Sequence, residues 1–183
     1  MLGLIIGGVV VVFLGGITFS CYNRFVTLEN RVDNSLSQID VQLKRRADLI
    51  PNLVETVKGF AKHEKEAIQA VSDARKALVS AKDITSKVNA DKKLEGALGR
   101  LFAIAENYPN LKADTNFLEL QRELVSTEDK VSYSRQFYND SIMSYNDLCK
   151  KFPGVLFASI FSKTAKKYLE IAPAEREPVK VKF

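Results

Sequence analysis

The chain is 183 residues long, carries a formal charge of +5, and is 46% hydrophobic with two cysteines. Abundant apolar residues and the lack of any low-complexity tract argue against disorder, and Cys21 and Cys149 are too few and too far apart for a disulfide or zinc framework. Lys and Arg are largely interleaved with Asp and Glu, as on a solvated helix face, so no dedicated nucleic-acid surface is expected.

From Leu2 to Phe19 the chain holds only Leu, Ile, Val, Phe, Gly and one Thr, and the first charge is Arg24. Roughly 20 such residues at 1.5 Å each cross a ~30 Å hydrocarbon core, which predicts a transmembrane anchor over 1–21. A cleaved signal would have a basic start and a small-x-small exit, and neither is present. Thr18 to Cys21 is a poor lipoprotein box, although acylation of Cys21 stays open. Arg24, Arg31 and Lys44 to Arg46 follow the span while only Met1 precedes it, so the bulk of the protein is expected on the cytoplasmic side of the cell membrane, single-pass.

Next, Phe25, Leu28, Val32, Leu36, Ile39 and Leu43 recur every three or four residues, predicting a first helix over about Tyr22 to Arg46. Asp48 is a candidate cap and Pro51 suits a first turn, so a second helix is read over about Asp48 to Ser80 with the stripe Leu53, Val57, Phe60, Ala67, Val71, Ala74 and Leu78. Lys82 to Val88 is poor in apolar residues. Asn89 then caps a third helix carrying Leu94, Leu98 and Leu101, which Asn107, Tyr108 and Pro109 end. A fourth runs from Asp114 or Thr115 to about Phe152, stopped by Pro153 and Gly154.

Three to four such helices bury their stripes as an antiparallel up-and-down bundle, so the fold expected is all-α: the anchor, a bundle over 22–162 and a basic tail over 163–183. The tail lysines Lys163, Lys166, Lys167, Lys180 and Lys182 serve solubility or an anionic lipid surface. Val155 to Phe161 either caps the base of the bundle or lies at the bilayer interface.

In the fourth helix one heptad position reads Phe117, Leu124, Val131, Tyr138, Tyr145, Phe152 and the other Gln121, Glu128, Arg135, Ile142, Cys149. Gln121, Glu128 and Arg135, with Glu64 on the second helix, form a candidate buried polar layer. It is read first as register-fixing and second as a ligand or relay site. Tyr138-Asn139 and Tyr145-Asn146 lie one heptad apart, placing each Asn where its amide ties helix to helix or docks a partner. No Glu precedes His63 by three residues, and no phosphate-binding loop, dinucleotide glycine pattern or nucleophile elbow occurs. Catalytic, cofactor and metal residues are therefore not expected.

The residues resemble the LemA family of bacterial and archaeal membrane proteins. The resemblance runs from about Tyr22 to Phe161. It rests on Tyr22-Asn23, Ser37 to Arg46 (SQIDVQLKRR), Asp48 to Lys58 (DLIPNLVETVK), His63-Glu64, Ala97 to Leu101 (ALGRL), Tyr108-Pro109, Asn116-Phe117, Thr127-Glu128 and Tyr138-Asn139. Leu36 stands where the family frequently has Trp, which bears on packing. The resemblance implies an N-terminal transmembrane helix and a cytoplasmic helical bundle with no established catalytic residues. Its genes often neighbour those of membrane proteases or envelope-associated proteins, so the partner expected is a membrane or envelope protein beside the lipid bilayer, with self-association left open. The function expected is a non-catalytic adaptor or scaffold; the alternatives are a peripheral lipid-surface module and an unrecognised carboxylate-based enzyme.

Overall fold

The computed structural model describes residues 1–169, which are all-helical with no strand. Six helices follow in order: α1 (Leu2–Phe60), α2 (Lys65–Ser80), α3 (Ile84–Ala105), α4 (Pro109–Lys112), α5 (Thr115–Lys150) and α6 (Gly154–Ile160). Lys180 and Lys182 lie outside the described residues.

The expected first and second helices are one. The anchor, the stripe from Phe25 to Leu43 and Leu53 to Val57 all belong to α1, 59 residues long, with Pro51 inside it. A break falls instead at Ala61 to Glu64, and Phe60, expected inward, is 42% exposed at the helix end. Glu64, expected on an inward helix face, stands in this turn as the residue before α2. The third helix begins earlier than expected: Asp83, not Asn89, caps it by accepting the Ser86 backbone N–H at 2.9 Å. Asp114 caps α5 in the same way, accepting from Phe117 N at 2.9 Å. Phe152 lies past the end of α5 and is exposed.

The chain divides into two compact units, Leu36–Arg135 and Met1–Ser35 with Gln136–Phe183. In the first, Ile39, Leu43, Ile50, Leu53 and Val57 of α1 are buried with Val71 and Leu78 of α2, Leu94, Leu98 and Leu101 of α3, and Phe117, Leu124 and Val131 of α5. Each such side chain contributes about 1.5–3 kcal/mol on burial. α2 and α3, joined by a short turn, lie side by side.

In the second unit Phe25, Val32, Ile142, Tyr145, Cys149 and Ala158 form the core. Phe25 meets Tyr145 edge-on at 6.0 Å and Tyr22 meets Phe161 at 5.3 Å. Gly154 begins α6 against the backbone of α5, where a Cβ would come within 2.1 Å of the Leu148 carbonyl oxygen, so only glycine fits. In Val155 to Phe161, Ala158 and Phe157 face the core, as capping the base of the bundle requires, whereas Leu156 and Ile160 are exposed. Residues 1–16 are exposed throughout, and α1 carries a stretch long and apolar enough to cross a membrane.

Candidate functional site

The most unusual chemistry in the unit Leu36–Arg135 is a charged cluster in its interior. Arg46 is 2% exposed and Asp91 1%. Arg46 Nη1 donates to Asp91 Oδ1 at 2.9 Å, and Arg135 Nη2 donates to Asp91 Oδ2 at 2.6 Å. A single carboxylate thus receives one guanidinium on each oxygen. Arg46 Nη2 also reaches Glu128 Oε2 at 3.3 Å, toward the solvent edge. The helices α1, α3 and α5 are tied together at one level by charge-assisted bonds.

Glu95 follows Asp91 by one helical turn. Desolvation raises its carboxyl pKa first, and the Glu128 and Asp91 carboxylates raise it further, against the opposing pull of Arg46 and Arg135. Gln42 Oε1, Arg46 Nε and Arg135 Nε are buried without a hydrogen-bond partner among the described residues, each costing about 1–3 kcal/mol. A buried cluster matched in charge but incompletely bonded is weak evidence for net stability.

Glu128 and Arg135 belong to one network, linked through Arg46 and Asp91. Gln121 is half-buried and outside it. Glu64 is elsewhere, accepting a 2.7 Å hydrogen bond from the Tyr108 hydroxyl, whose pKa that bond raises. Arg46 and Asp91 were missed, although Arg46 lies between Leu43 and Ile50 on the buried stripe and Asp91 precedes Leu94 by three residues. Two opposite charges on two apolar stripes were the available signal.

The second unit holds a different arrangement. Asn146 donates to the Lys166 carbonyl at 2.9 Å and accepts the Lys166 N–H at 2.8 Å. Asn139, one heptad earlier, does the same with Leu169 at 3.1 and 2.9 Å. Seven residues of helix rise about 10.5 Å, nearly matching three residues of extended chain, so two amides read the backbone of 163–169 running antiparallel to α5. The segment is held further by Lys163 on both oxygens of Glu29, at 2.9 and 2.8 Å, and by Lys166 over the Tyr145 ring at 5.4 Å. These tail lysines are engaged within the fold.

Tyr145 donates to Glu29 at 3.3 Å, and burial, then Cys149 and Glu29, push its pKa far up, so it remains a donor. Burial also raises the Cys149 thiol, which disfavours the reactive thiolate. Cys21 and Cys149 are both free and buried. No group of three or more His, Cys, Asp or Glu is placed to hold a metal among the described residues.

The LemA family profile matches residues 35–183. Magnetosome protein MamQ of Magnetospirillum gryphiswaldense is 28% identical over 184 residues, covering 86% of this chain and 68% of that protein. Magnetosome protein MamQ 2 of Paramagnetospirillum magneticum is 27% identical over the same shares. Protein LemA of Metamycoplasma hominis is 26% identical over 125 residues, 68% of this chain and 57% of its own length. With the apolar helix, the helical bundle and a profile match across most of the sequence, the chain belongs to the LemA family.

Proposed function

We propose that the protein is a non-catalytic scaffold held in the cell membrane by one helix, with its bundle on the cytoplasmic side and its helix faces offered to a membrane or envelope-associated protein. The observation that carries this is the uncovered apolar stretch of α1: residues 2–16 are exposed throughout, and hydrocarbon is the medium that suits such a surface. The polar interior supports a structural role. Arg46, Asp91, Glu128 and Arg135 spend their charges on one another, as in a layer that fixes how helices pack. The positive flank from Arg24 onward supports the cytoplasmic side.

Photo-crosslinking of the full-length protein in native membranes tests the scaffold. One recurrent protein partner is the expected result, and recovery of abundant bystanders alone would count against it. For the orientation, a Tyr133→Cys variant should react with a membrane-impermeant maleimide only after cells are opened; labelling of intact cells would reverse it.

A second reading, contact with lipid beyond the anchor, is favoured by Phe152, Leu156 and Ile160. They recur every four residues and are 79%, 56% and 68% exposed. An apolar row of this kind beside Lys150 and Lys151 suits a bilayer surface.

A further inference from the structure

A cleft of about 430 Å³ opens where the uncovered part of α1 meets the end of α5. Phe13, Gly16, Ile17 and Arg24 form its wall on α1, and Leu148 and Pro153 form the other. Its chemistry is graded. The end toward Phe13 is apolar, and the end toward Arg24 is polar. The space beside Gly16 is open, since a Cβ there would meet nothing within 4 Å. Arg24 is exposed and has no ion-pair partner among the described residues.

From these features we propose that the cleft is a binding site for an anionic phospholipid, with the phosphate at Arg24 and an acyl chain laid past Ile17 and Gly16 to Phe13. This rests on the reading of α1 as a membrane span. The dimensions agree: eleven residues of helix rise about 16 Å, close to half of a ~30 Å hydrocarbon core, so the cleft is one leaflet deep. Its apolar end is continuous with the exposed apolar surface of residues 2–12, so lipid reaches it without leaving the bilayer. A cation at the level where the first charge of the chain appears complements a lipid phosphate and the negative surface of the cytoplasmic leaflet. A free phosphate would leave the apolar end unfilled, and a neutral acyl chain would leave Arg24 unpaired.

The test uses full-length protein in phosphatidylcholine bilayers doped with phosphatidylglycerol carrying a diazirine in its acyl chain, with labelled residues located by mass spectrometry. Label is expected to concentrate on 13–24 and 148–153, at least about fivefold above residues 2–12. Arg24→Gln, which removes the cation, and Gly16→Leu, which fills the groove, should each reduce it several-fold. Both positions are exposed, and an unchanged melting curve verifies that the fold is kept. Label spread evenly along α1, or concentrated in the cleft but indifferent to Arg24→Gln, overturns the phospholipid site while leaving the anchor intact. Absence of label on residues 2–12 overturns the membrane reading beneath it.

Discussion

Arg75 donates its Nε–H to the carbonyl oxygen of Ala47 at 2.8 Å. That oxygen is the one left without its helical donor by Pro51, four residues on, since proline has no N–H to return. Ala47 is 2% exposed, so water is a poor substitute. A side chain of α2 thereby replaces the missing bond of α1, which is how a helix of 59 residues carries a proline in its interior.

Arg75→Ala should then destabilise the bundle by about 1–3 kcal/mol, the cost of an unsatisfied buried carbonyl. In a Pro51→Ala background, where residue 51 supplies its own N–H, the same change should cost much less. Thermal melts of the four proteins in detergent, followed by circular dichroism, give the coupling. An equal cost in both backgrounds would show that Arg75 acts in some other way.

Asp91→Ala should be the most damaging single change among the charged residues, by about 3–5 kcal/mol, because it takes the carboxylate from Arg135 and leaves Arg46 with only the half-exposed Glu128. Arg45→Ala provides the contrast. Its 2.7 Å pair with Glu123 is about half exposed on both sides, and its loss should cost no more than about 1 kcal/mol. Similar melting temperatures for the two variants would refute the burial argument.

Glu95 should make stability fall as pH rises. Its native carboxyl holds a proton to higher pH than the ordinary value of about 4.5 in the unfolded chain, so the native state is favoured while protonated. That contribution is lost as pH climbs from 4.5 through the raised native value. Glu95→Gln should melt higher than the parent at pH 7, with the gap closing toward pH 4. A gap that stays constant across that range would dissociate Glu95 from the titration.

The paired amides of Asn139 and Asn146 predict residue-specific protection. Each side chain makes two hydrogen bonds of about 1 kcal/mol net, so Asn146→Ala should speed exchange of the Lys166 amide hydrogen about 30-fold and Asn139→Ala should do so at Leu169. Hydrogen–deuterium exchange on the full-length protein reads both. Acceleration of all of 163–169 by either change would mean that the segment opens as one piece, while no acceleration would mean that other contacts hold it.

The apolar stripes were legible because burial imposes its period on the chain: Phe25, Val32, Ile39, Leu53, Leu94 and Leu124 lie inside as their spacing requires. The anchor was legible for a different reason, an unbroken apolar run long enough to cross a bilayer. The joint at Asp48 was misread because a cap residue followed by proline is a valid local start signal, and the bond that overrides it comes from Arg75, far along the chain. Misplacing the start of α3 at Asn89 had a second effect. It put Asp91 in a supposed first turn, where a carboxylate needs no partner beyond the helix dipole, and so hid the centre of the buried cluster. Arg46 was concealed by its neighbours, since Lys44-Arg45-Arg46 reads as a basic run although only its last member turns inward. The asparagines were visible as a heptad pair, but sequence could not say that the partner they grip is the chain's own backbone.

The unbroken course of α1 makes its membrane segment a keyed shaft rather than a tether. Each residue advances a helix by 1.5 Å and turns it by about 100°. Phe25 and Val32, locked into the core with Tyr145 and Ile142, therefore dictate the compass direction in which Leu4, Val11 and Phe13 face the lipid. One residue inserted between Phe19 and Ser20 would swing that entire apolar surface through about 100° without altering its composition. Conversely, a neighbour that gripped one side of the span would hold the core around Phe25 at a fixed heading, so rotation as well as proximity is information the anchor can carry.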